Sequence, residues 1–312
     1  MCKKVLLIAG GGTLGNYVSQ ELLGFGVSVD VICLEDKVSK NANLTYYKHL
    51  ADYDFLKKLF ELNKYDGVIN FVHYVNIEEF KQVYELIIKN TEHFIFISSY
   101  RVYANVQKII TETAPRLFDV VKDQNFLSTE NYAVPKSKCE DYLFNECYGE
   151  KWTIVRPVIS FSSMRMDLLT YSGHTVLQYA KDGKELILPK MVKNYGAGLD
   201  WAGNSAKIMA HLLFKEHTFG QAYTIYSGQN LTWGEIAEIY EKLIGLKVKW
   251  TTEEEYADQT GLGKEYIWLY DRKFDRKIDC AKVFNATGLN KQDFLSIEDG
   301  IKIELENIKN KE

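Results

Sequence analysis

The chain has 312 residues, with 38 Lys and Arg against 42 Asp and Glu, a formal net charge of −4, and 46% hydrophobic residues. This length accommodates one large domain, or one domain with a smaller second lobe, and the composition is that of a soluble globular protein. The negative charge, without any run of basic residues, argues against a nucleic-acid-binding protein that neutralises phosphates.

The cysteines and histidines show no pattern typical of metal sites or disulfides. Five cysteines stand without a CxxC pair, and six histidines form no HxxxH or mixed Cys/His cluster. We therefore expect reduced thiols and no metal. The apolar run Val5–Ala9 is too short for a signal peptide, and no segment approaches the ~20 apolar residues of a membrane span. We expect a cytoplasmic protein without a membrane partner.

The first 160 residues alternate short apolar runs with longer amphipathic stretches. The apolar runs predict buried strands at Val5–Ala9, Val27–Cys33, Gly67–Val72, Phe94–Ser98 and Thr153–Val155. The other stretches predict helices at Tyr17–Gly24, Phe55–Leu62, Glu78–Ile88 and Tyr132–Cys147. Because alternating strands and helices are joined by right-handed crossovers, this order predicts an α/β fold around a doubly wound parallel sheet.

A glycine-rich turn follows the first predicted strand. Gly10, Gly12 and Gly15 stand in GxGxxG register where the strand gives way to a helix. The first glycine of such a turn permits the tight bend, and the second lets a pyrophosphate approach the backbone. The third lets the helix pack on the sheet, and the N-terminus of the helix attracts the anion. The turn therefore predicts a dinucleotide-binding site.

Two acidic residues, Glu35 and Asp36, follow the second predicted strand. An acid at this distance from the glycine turn accepts hydrogen bonds from the ribose hydroxyl groups of adenosine, and it repels the 2′-phosphate of NADP. The nearby cation Lys37 follows both carboxylates. We therefore expect NAD as the cofactor rather than NADP.

Tyr132 and Lys136 lie four residues apart in the stretch ENYAVPKSKCEDYL. On a helix this spacing places two side chains on one face. A lysine ammonium group near a tyrosine stabilises its phenolate form, and the phenolate is the form that acts as a base. The alternative is an ordinary amphipathic helix with one buried tyrosine and one solvated lysine. We interpret the pair as catalytic.

Beyond Arg156 the chain has longer loops with scattered short elements. The clearest helix there begins at a capping box of Thr232 and Glu235 and ends at Gly245. Asn204 is predicted to be a helix N-cap. Because no linker separates the two halves, we expect a second lobe that packs onto the first.

Several motifs, in order, resemble the extended short-chain dehydrogenases/reductases of the NAD-dependent epimerase/dehydratase group. The stretches FISSYRVYA, ITETAP, YAVPKSK and WTIVRP follow that family's Ser-Ser, VYG, IxExxP, YxxxK and RP motifs. In the second half, LDWAGNSAKIMAHLL and DRKIDCAKVFNATGL continue the similarity, which covers nearly the whole chain. The resemblance implies an NAD-binding Rossmann domain over residues 1–160 that carries the catalytic residues. It also implies a smaller C-terminal α/β lobe over residues 161–312 that mainly binds substrate and returns some segments to the first domain.

The resemblance also assigns roles to individual positions. Ser99, Tyr132 and Lys136 fall on the family's catalytic serine, tyrosine and lysine, which implies hydride transfer between a secondary alcohol and NAD. Substrate contacts are expected at Ser99, Tyr100, Arg165 and His174, although the last two could equally be solvated. The expected cofactor contacts are Gly10, Gly12, Thr13, Leu14, Gly15, Glu35, Asp36, Leu50, Phe71, Val72, Tyr132, Lys136 and Pro157.

Several positions depart from the family's pattern, among them Tyr100, Arg101 and Pro135. Tyr100 and Arg101 stand where the family's 4,6-dehydratases carry an Asp-Glu pair that eliminates water, which weakens a dehydratase interpretation. Pro135, before Lys136, is accommodated only in the first turn of a helix. His73, after the fourth predicted strand, is either a ligand contact or a structural histidine.

We therefore expect an NAD-dependent sugar-nucleotide epimerase that oxidises a secondary alcohol transiently to a ketone. One alternative is an NAD(P)-dependent reductase or dehydrogenase of a sugar or small carbonyl compound. Another is a non-catalytic RNA-binding or regulatory relative, of which the chloroplast stem-loop RNA-binding proteins are examples. The resemblance further implies a homodimer through Glu78–Ile88 and the helix of Tyr132, unless their apolar faces serve the core.

Overall fold

The computed structural model describes residues 3–147, 149–261 and 265–310. The strands of this part of the chain are β1 (Lys4–Ile8), β2 (Ser28–Cys33), β3 (Leu44–Lys48), β4 (Gly67–Asn70), β5 (His93–Ile97), β6 (Trp152–Pro157), β7 (Ile159–Phe161), β8 (Glu185–Pro189), β9 (Leu199–Trp201), β10 (Gln221–Ile225) and β11 (Lys247–Thr251). The helices are α1 (Thr13–Gly24), α2 (Tyr53–Leu62), α3 (Ile77–Ile88), α4 (Leu117–Val120), α5 (Gln124–Thr129), α6 (Ala133–Glu146), α7 (Gly173–Asp182), α8 (Ala202–Leu212), α9 (Trp233–Ile244), α10 (Glu253–Thr260), α11 (Ala281–Thr287) and α12 (Ile297–Lys309).

The central sheet of the described chain has seven strands in the order β3-β2-β1-β4-β5-β6-β10. Every neighbouring pair is parallel. The chain begins at β1 in the middle, runs out to β3, and then crosses to β4 and runs to the other edge. This confirms the predicted α/β fold with a doubly wound parallel sheet. The strand order reverses between β1 and β4, which is where such sheets leave a ligand-binding crevice at the carboxyl ends of their strands.

The second half of the chain contributes to both the large sheet and two smaller ones. Strand β10 pairs with β6 and completes one edge of the central sheet. Two separate parallel pairs form from β8 with β11 and from β7 with β9. A segment of the second half thus lies in the first half's sheet. The domain boundary at residue 160 stays a prediction.

The faces of the central sheet follow the alternation of side chains along its strands. In β1, Val5 and Leu7 belong to one hydrophobic cluster, which includes residues of α1 and α8. Leu6 and Ile8 belong to the other, which includes residues of α2, α3 and α6. All four side chains are fully buried. The continuous apolar run is therefore that of a strand covered on both faces.

Strand β3 is absent from the predicted elements. None of its five residues, LTYYK, is fully buried, because β3 is the edge strand beside β2. A search for buried apolar runs passes over such a segment. All five predicted strands overlap observed ones, with ends that differ by at most two residues.

Helix α6 begins one residue after its predicted start. Tyr132 is its N-cap, with φ −129° and ψ −67°, and the helix ends at Glu146 rather than Cys147. Pro135 is therefore the third residue of α6, where its missing N–H would have no partner within the helix, as expected. The buried Glu130 carboxylate accepts hydrogen bonds from the backbone N–H groups of Tyr132 (3.0 Å) and Val134 (2.9 Å). This carboxylate stabilises the start of the helix.

Of the two caps predicted in the second half, one is confirmed and one is wrong. Thr232 and Glu235 form the capping box of α9, and Gly245 ends the helix in the left-handed conformation with φ 69°. Asn204 is not an N-cap, because α8 already begins at Ala202. Its side-chain amide instead donates to Asp200 Oδ1 and to the Leu295 carbonyl, both at 2.9 Å. The Leu295 carbonyl lies 91 residues away, so this partner could not be read from the local sequence.

No helix in the part of the chain that the structure describes has both the length and the apolar character to cross a membrane.

Candidate active site

The glycine-rich turn joins β1 to α1 at the crevice of the sheet. A Cβ atom on Gly15 would stand 2.1 Å from the Gly10 carbonyl oxygen, so the close approach of helix and turn requires glycine at position 15. A Cβ atom on Gly12 would meet no described protein atom within 4 Å. Packing therefore does not require glycine at position 12, and the space beside this backbone is open to a ligand.

A cavity of about 370 Å³ runs from this turn toward the predicted catalytic residues. It brings together ten of the predicted site residues, which are Gly12, Thr13, Leu14, Gly15, Phe71, Ser99, Tyr100, Tyr132, Pro157 and Arg165. Residues from the amino end of the chain and from its second half thus meet at the carboxyl edge of the sheet.

A second cavity, of about 340 Å³, lies on the other side of the turn and shares Gly12 and Phe71 with the first. Three further predicted cofactor residues line it, namely Glu35, Leu50 and Val72. The two cavities adjoin each other at these shared residues, and together they are called the groove. Such a groove suits an extended ligand whose middle lies at the turn.

Only one of the two acids after β2 lies at this groove. The carboxylate of Glu35 packs against Gly11, where an added Cβ atom would stand 2.6 Å from Oε2. Asp36 is exposed and pairs with Lys48 at 3.0 Å. Lys37 Nζ donates to the Gly11 carbonyl at 2.7 Å, so this cation stabilises the turn. The structure therefore brings Glu35, but not Asp36, to the predicted cofactor groove.

Ser99 and Tyr132 line the first cavity from two different elements. Ser99 directly follows Ser98 at the end of β5, and its hydroxyl group accepts a hydrogen bond of 3.2 Å from the Arg101 N–H. Tyr132 is half-buried at the start of α6. The His73 ring stands 5.1 Å from its ring, and His73 Nε2 donates to the Asn131 carbonyl at 2.5 Å. The lone loop histidine thus packs beside the predicted catalytic tyrosine.

Lys136 is buried within the protein and does not line the cavity. It is 2% exposed, and its ammonium group donates to the carbonyl groups of Ile97 (2.6 Å) and Val72 (3.2 Å). It is not among the described residues that line either cavity. Burial lowers the pKa of Lys136 to about 8. Those two carbonyl groups hold Nζ, which also stands 4.8 Å from the centroid of the Phe96 ring.

The cation that does lie over the Tyr132 ring is Arg101. The central guanidinium carbon stands 4.6 Å from the ring centroid, and the side chain lines the same cavity. Sequence analysis identified Arg101 only as a departure from the dehydratase pattern and did not predict it as a site residue. Its place directly after Ser99 and Tyr100 is the local signal that points to it.

Beyond Ser99 the cavity is formed by a buried network of charged groups. The Tyr100 hydroxyl group donates to Asp271 Oδ1 at 2.9 Å, and the Arg272 side chain pairs with Asp271 Oδ2. Burial raises the pKa of Asp271, but the charges of Arg272, Arg101 and Arg276 outweigh it and hold the pKa below its ordinary value. Arg272 lines the cavity and is a site residue that sequence reasoning missed, although the stretch DRKFDR contains it.

The two predicted basic substrate contacts have different positions. Arg165 lines the cavity, and its Nε donates to Asp167 at 2.7 Å. His174 is exposed on α7 and is not among the described residues of either cavity. Gly10 is also outside them, because it packs within the turn, where its N–H donates to the Ile32 carbonyl at 3.0 Å. Among the described residues, no group of three His, Cys, Asp or Glu side chains could hold a metal ion.

Comparisons with known proteins identify the fold. Neither the models of known protein families nor the curated proteins include a match. A putative epimerase from Burkholderia cenocepacia aligns over 99% of this chain and 98% of its own, with a TM-score of 0.75 and 13% identity. A UDP-glucuronic acid 4-epimerase from Bacillus cereus, in complex with UDP-glucuronic acid and NAD, aligns over 99% and 100%, with a TM-score of 0.72 and 16% identity. A UDP-glucose 4-epimerase from Thermotoga maritima, with UDP-glucose, aligns over 99% and 99%, with a TM-score of 0.72 and 17% identity. At these identities the similarity establishes a shared fold along the whole chain.

Proposed function

We propose that the chain is an NAD-dependent sugar-nucleotide epimerase that oxidises a secondary hydroxyl group to a ketone and reduces it again from the opposite face. The observation that carries the proposal is that Ser99 and Tyr132 line the same cavity as the glycine turn. The fold, which is shared with solved epimerases that bind NAD and a nucleotide-sugar, supports the same function.

The residues of the groove fit NAD. The open space beside Gly12 leaves room for a pyrophosphate, and the first turn of α1 carries no acidic side chain that would repel it. Glu35, which lines the second cavity, would accept hydrogen bonds from the hydroxyl groups of the adenosine ribose. The chemistry that NAD supplies when bound is the acceptance and return of a hydride.

The chain's own groups would then move and hold the proton. Tyr132, as phenolate, takes the proton of the substrate hydroxyl group and returns it when the ketone is reduced. Ser99 donates a hydrogen bond to the same oxygen atom. Lys136 binds the carbonyl groups at the end of β5 and after β4, so it positions both segments and places a positive charge one helical turn from Tyr132.

The test is mass spectrometry of small molecules released by denaturing the freshly purified protein, followed by incubation with UDP-sugars. Retained NAD, together with conversion of one sugar into its epimer without net formation of NADH, would support the proposal. Exchangeable dinucleotide with net NADH formation would indicate a dehydrogenase or reductase. A protein that binds neither NAD nor NADP would contradict both enzymatic functions.

We also propose that the protein forms a homodimer through α3 and α6. These helices lie side by side, with the Phe80 and Tyr142 ring centroids 6.0 Å apart, and Phe144 on α6 is 38% exposed. Light scattering of the purified protein would test this, and a monomer at micromolar concentration would contradict it. The cytoplasmic location stays a prediction.

A further inference from the structure

Arg101 has a guanidinium group with unused hydrogen-bond donors at the proposed reaction centre. Among the described residues, this group donates no hydrogen bond, although an arginine carries five N–H donors. Its nearest carboxylate oxygens belong to Asp271, 3.4 Å from Nε, and to Glu130, 3.6 Å from Nη2. Both distances exceed those of good charge-assisted hydrogen bonds.

Those two carboxylates are already bound by other groups. Asp271 accepts from the Tyr100 hydroxyl group and pairs with Arg272. Glu130 accepts from two backbone N–H groups at the start of α6. Both backbone N–H groups bind Glu130 Oε2, whereas Oε1 is the oxygen that faces Arg101. Each acid is thus shared with other donors, and neither forms a described hydrogen bond with the Arg101 guanidinium group.

The charges of this cluster do not balance. Four arginines, Arg101, Arg165, Arg272 and Arg276, stand against three acids, Asp167, Asp271 and Glu130, which leaves one formal positive charge. The Arg272 and Arg276 side chains are 3% and 1% exposed, whereas that of Arg101 is 21% exposed and lines the cavity. No Asp or Glu is among the described residues that line this cavity. Because an unbalanced charge on largely buried side chains is costly, the cluster is suited to one anionic group at Arg101.

The position of Arg101 indicates which part of a substrate carries that anion. Its guanidinium group lies against the Tyr132 ring, two residues after Ser99, and these two residues would hold the reacting hydroxyl group. A group bound by Arg101 is therefore close to the reacting carbon.

We propose that Arg101 binds a carboxylate on the carbon next to the reacting one, so that the substrate is a nucleotide-linked uronic acid. This inference rests on the proposed function, because it places the reacting hydroxyl group at Ser99 and Tyr132. The planar guanidinium group matches a carboxylate in a bidentate arrangement. A phosphate would satisfy the same donors, so the test must separate the two anions.

The experiment compares UDP-glucuronic acid with UDP-glucose on the NAD-loaded protein. The two molecules share the nucleotide and the diphosphate and differ in a carboxylate against a hydroxymethyl group. Dissociation constants and rates of epimerisation are measured for the wild type, Arg101→Gln and Arg101→Lys. Arg165→Gln, which alters another arginine of the same cavity, is the matched control. The 1-phosphates of both sugars are measured in parallel, so that a preference for another nucleotide does not hide the effect.

We expect the wild type to bind the uronic acid about 10- to 100-fold more tightly than the neutral sugar. Arg101→Gln should remove this preference and leave the affinity for UDP-glucose nearly unchanged, and Arg101→Lys should restore part of it. Arg165→Gln should change both affinities by the same factor. Thermal unfolding with NAD bound verifies that each variant is folded.

The inference would be overturned if the wild type bound UDP-glucuronic acid and UDP-glucose with equal affinity. It would also be overturned if the wild type bound neither sugar. An equal loss of affinity for both sugars in Arg101→Gln would also overturn the inference, because Arg101 would then bind the diphosphate that the two sugars share. Selective binding of the uronic acid without any epimerisation would contradict the proposed reaction and leave the carboxylate site intact.

Discussion

Lys136 Nζ donates a hydrogen bond of 2.6 Å to the Ile97 carbonyl oxygen. This bond joins the first turn of α6 to the last residue of β5, two residues before Ser99. Tyr132 precedes the same helix, so the bond fixes the elements that carry the two proposed catalytic groups relative to each other. A buried ammonium group with backbone partners is thus a positioning group as well as a charge.

The burial of Lys136 predicts a dependence of stability on pH. Its pKa falls from 10.5 to about 8 on folding. Between these values the unfolded chain holds the proton and the folded chain does not, so stability should rise with pH across this window. Lys136→Met should lack this rise, which is on the order of 3 kcal/mol. Urea unfolding of both proteins from about pH 7 to about pH 10.5 measures the difference, with exposed Lys40→Met as control. The prediction would be contradicted if the free energies of unfolding of the wild type and Lys136→Met differed by the same amount at every pH.

Tyr132→Phe should abolish hydride transfer without loss of dinucleotide binding. The change removes only the hydroxyl group that exchanges the proton, and general acid–base catalysis contributes about 10²- to 10⁴-fold. Rates of sugar conversion and the dissociation constant of NAD are the measurements. The control is Tyr53→Phe, at a tyrosine 41% exposed at the start of α2. Full activity of Tyr132→Phe would refute the proposed mechanism.

Two glycines of the same turn should respond differently to alanine. Gly15→Ala places a methyl group 2.1 Å from the Gly10 carbonyl oxygen, so the turn must shift, at a cost of about 1–3 kcal/mol. Gly12→Ala should fold like the wild type, because its methyl group meets no described protein atom, but it should weaken NAD binding about 10-fold or more. Chemical unfolding and calorimetric titration with NAD distinguish the two effects. Undiminished NAD affinity in Gly12→Ala would place the pyrophosphate elsewhere.

The preference for NAD over NADP should depend on Glu35 and not on Asp36. Glu35 lines the second cavity, whereas Asp36 pairs with Lys48 outside it. Loss of a hydrogen bond to a charged carboxylate in Glu35→Gln should weaken NAD binding about 10-fold and narrow its preference over NADP. Asp36→Asn should leave both dissociation constants nearly unchanged. The opposite result for the two variants would assign the ribose contact to Asp36.

The buried ion pair of Arg156 and Glu140 should be the strongest stability determinant near α6. Arg156 donates to both carboxylate oxygens of Glu140 at 2.8 and 2.7 Å, and both side chains are buried. Burial raises the pKa of Glu140, but the Arg156 charge and its hydrogen bonds hold it below the ordinary value. Arg156→Met removes the closest cation from that buried carboxylate and leaves the Arg116 guanidinium group 3.3 Å away, so it should destabilise the fold by about 3–5 kcal/mol.

The matched control for that pair is Lys151→Met, which breaks the exposed pair of Lys151 with Glu92. Solvent screening limits such a pair to about 1 kcal/mol or less. Free energies of unfolding from urea titrations compare the two variants. Equal destabilisation by both would show that the buried pair contributes no more than a surface contact.

The sequence by itself determined the α/β fold and the position of the glycine turn. Alternating runs such as Val5–Ala9 and Val27–Cys33 carry the signal of strands buried on both faces. Glycine is required at position 10 by the Leu7 side chain, 2.7 Å from an added Cβ atom, and at position 15 by the Gly10 backbone. Ser99 and Tyr132 also followed from local motifs. Strand β3 did not, because an edge strand without a buried residue has no such signal.

Only the tertiary structure decided which charged groups reach the site. Tyr100 and Asp271 are hydrogen-bonded across 171 residues of sequence, and Arg272 enters the cavity with them. Of two adjacent acids, Glu35 alone lines the second cavity, whereas Asp36 pairs with Lys48 of the neighbouring strand. Secondary-structure and turn signals depend on residues a few positions apart. The partner of a charged side chain depends instead on which distant segments the topology of the sheet brings together. For that reason the sequence predicted where the site lies, and the fold decided that Arg101, rather than Lys136, faces the ring of Tyr132.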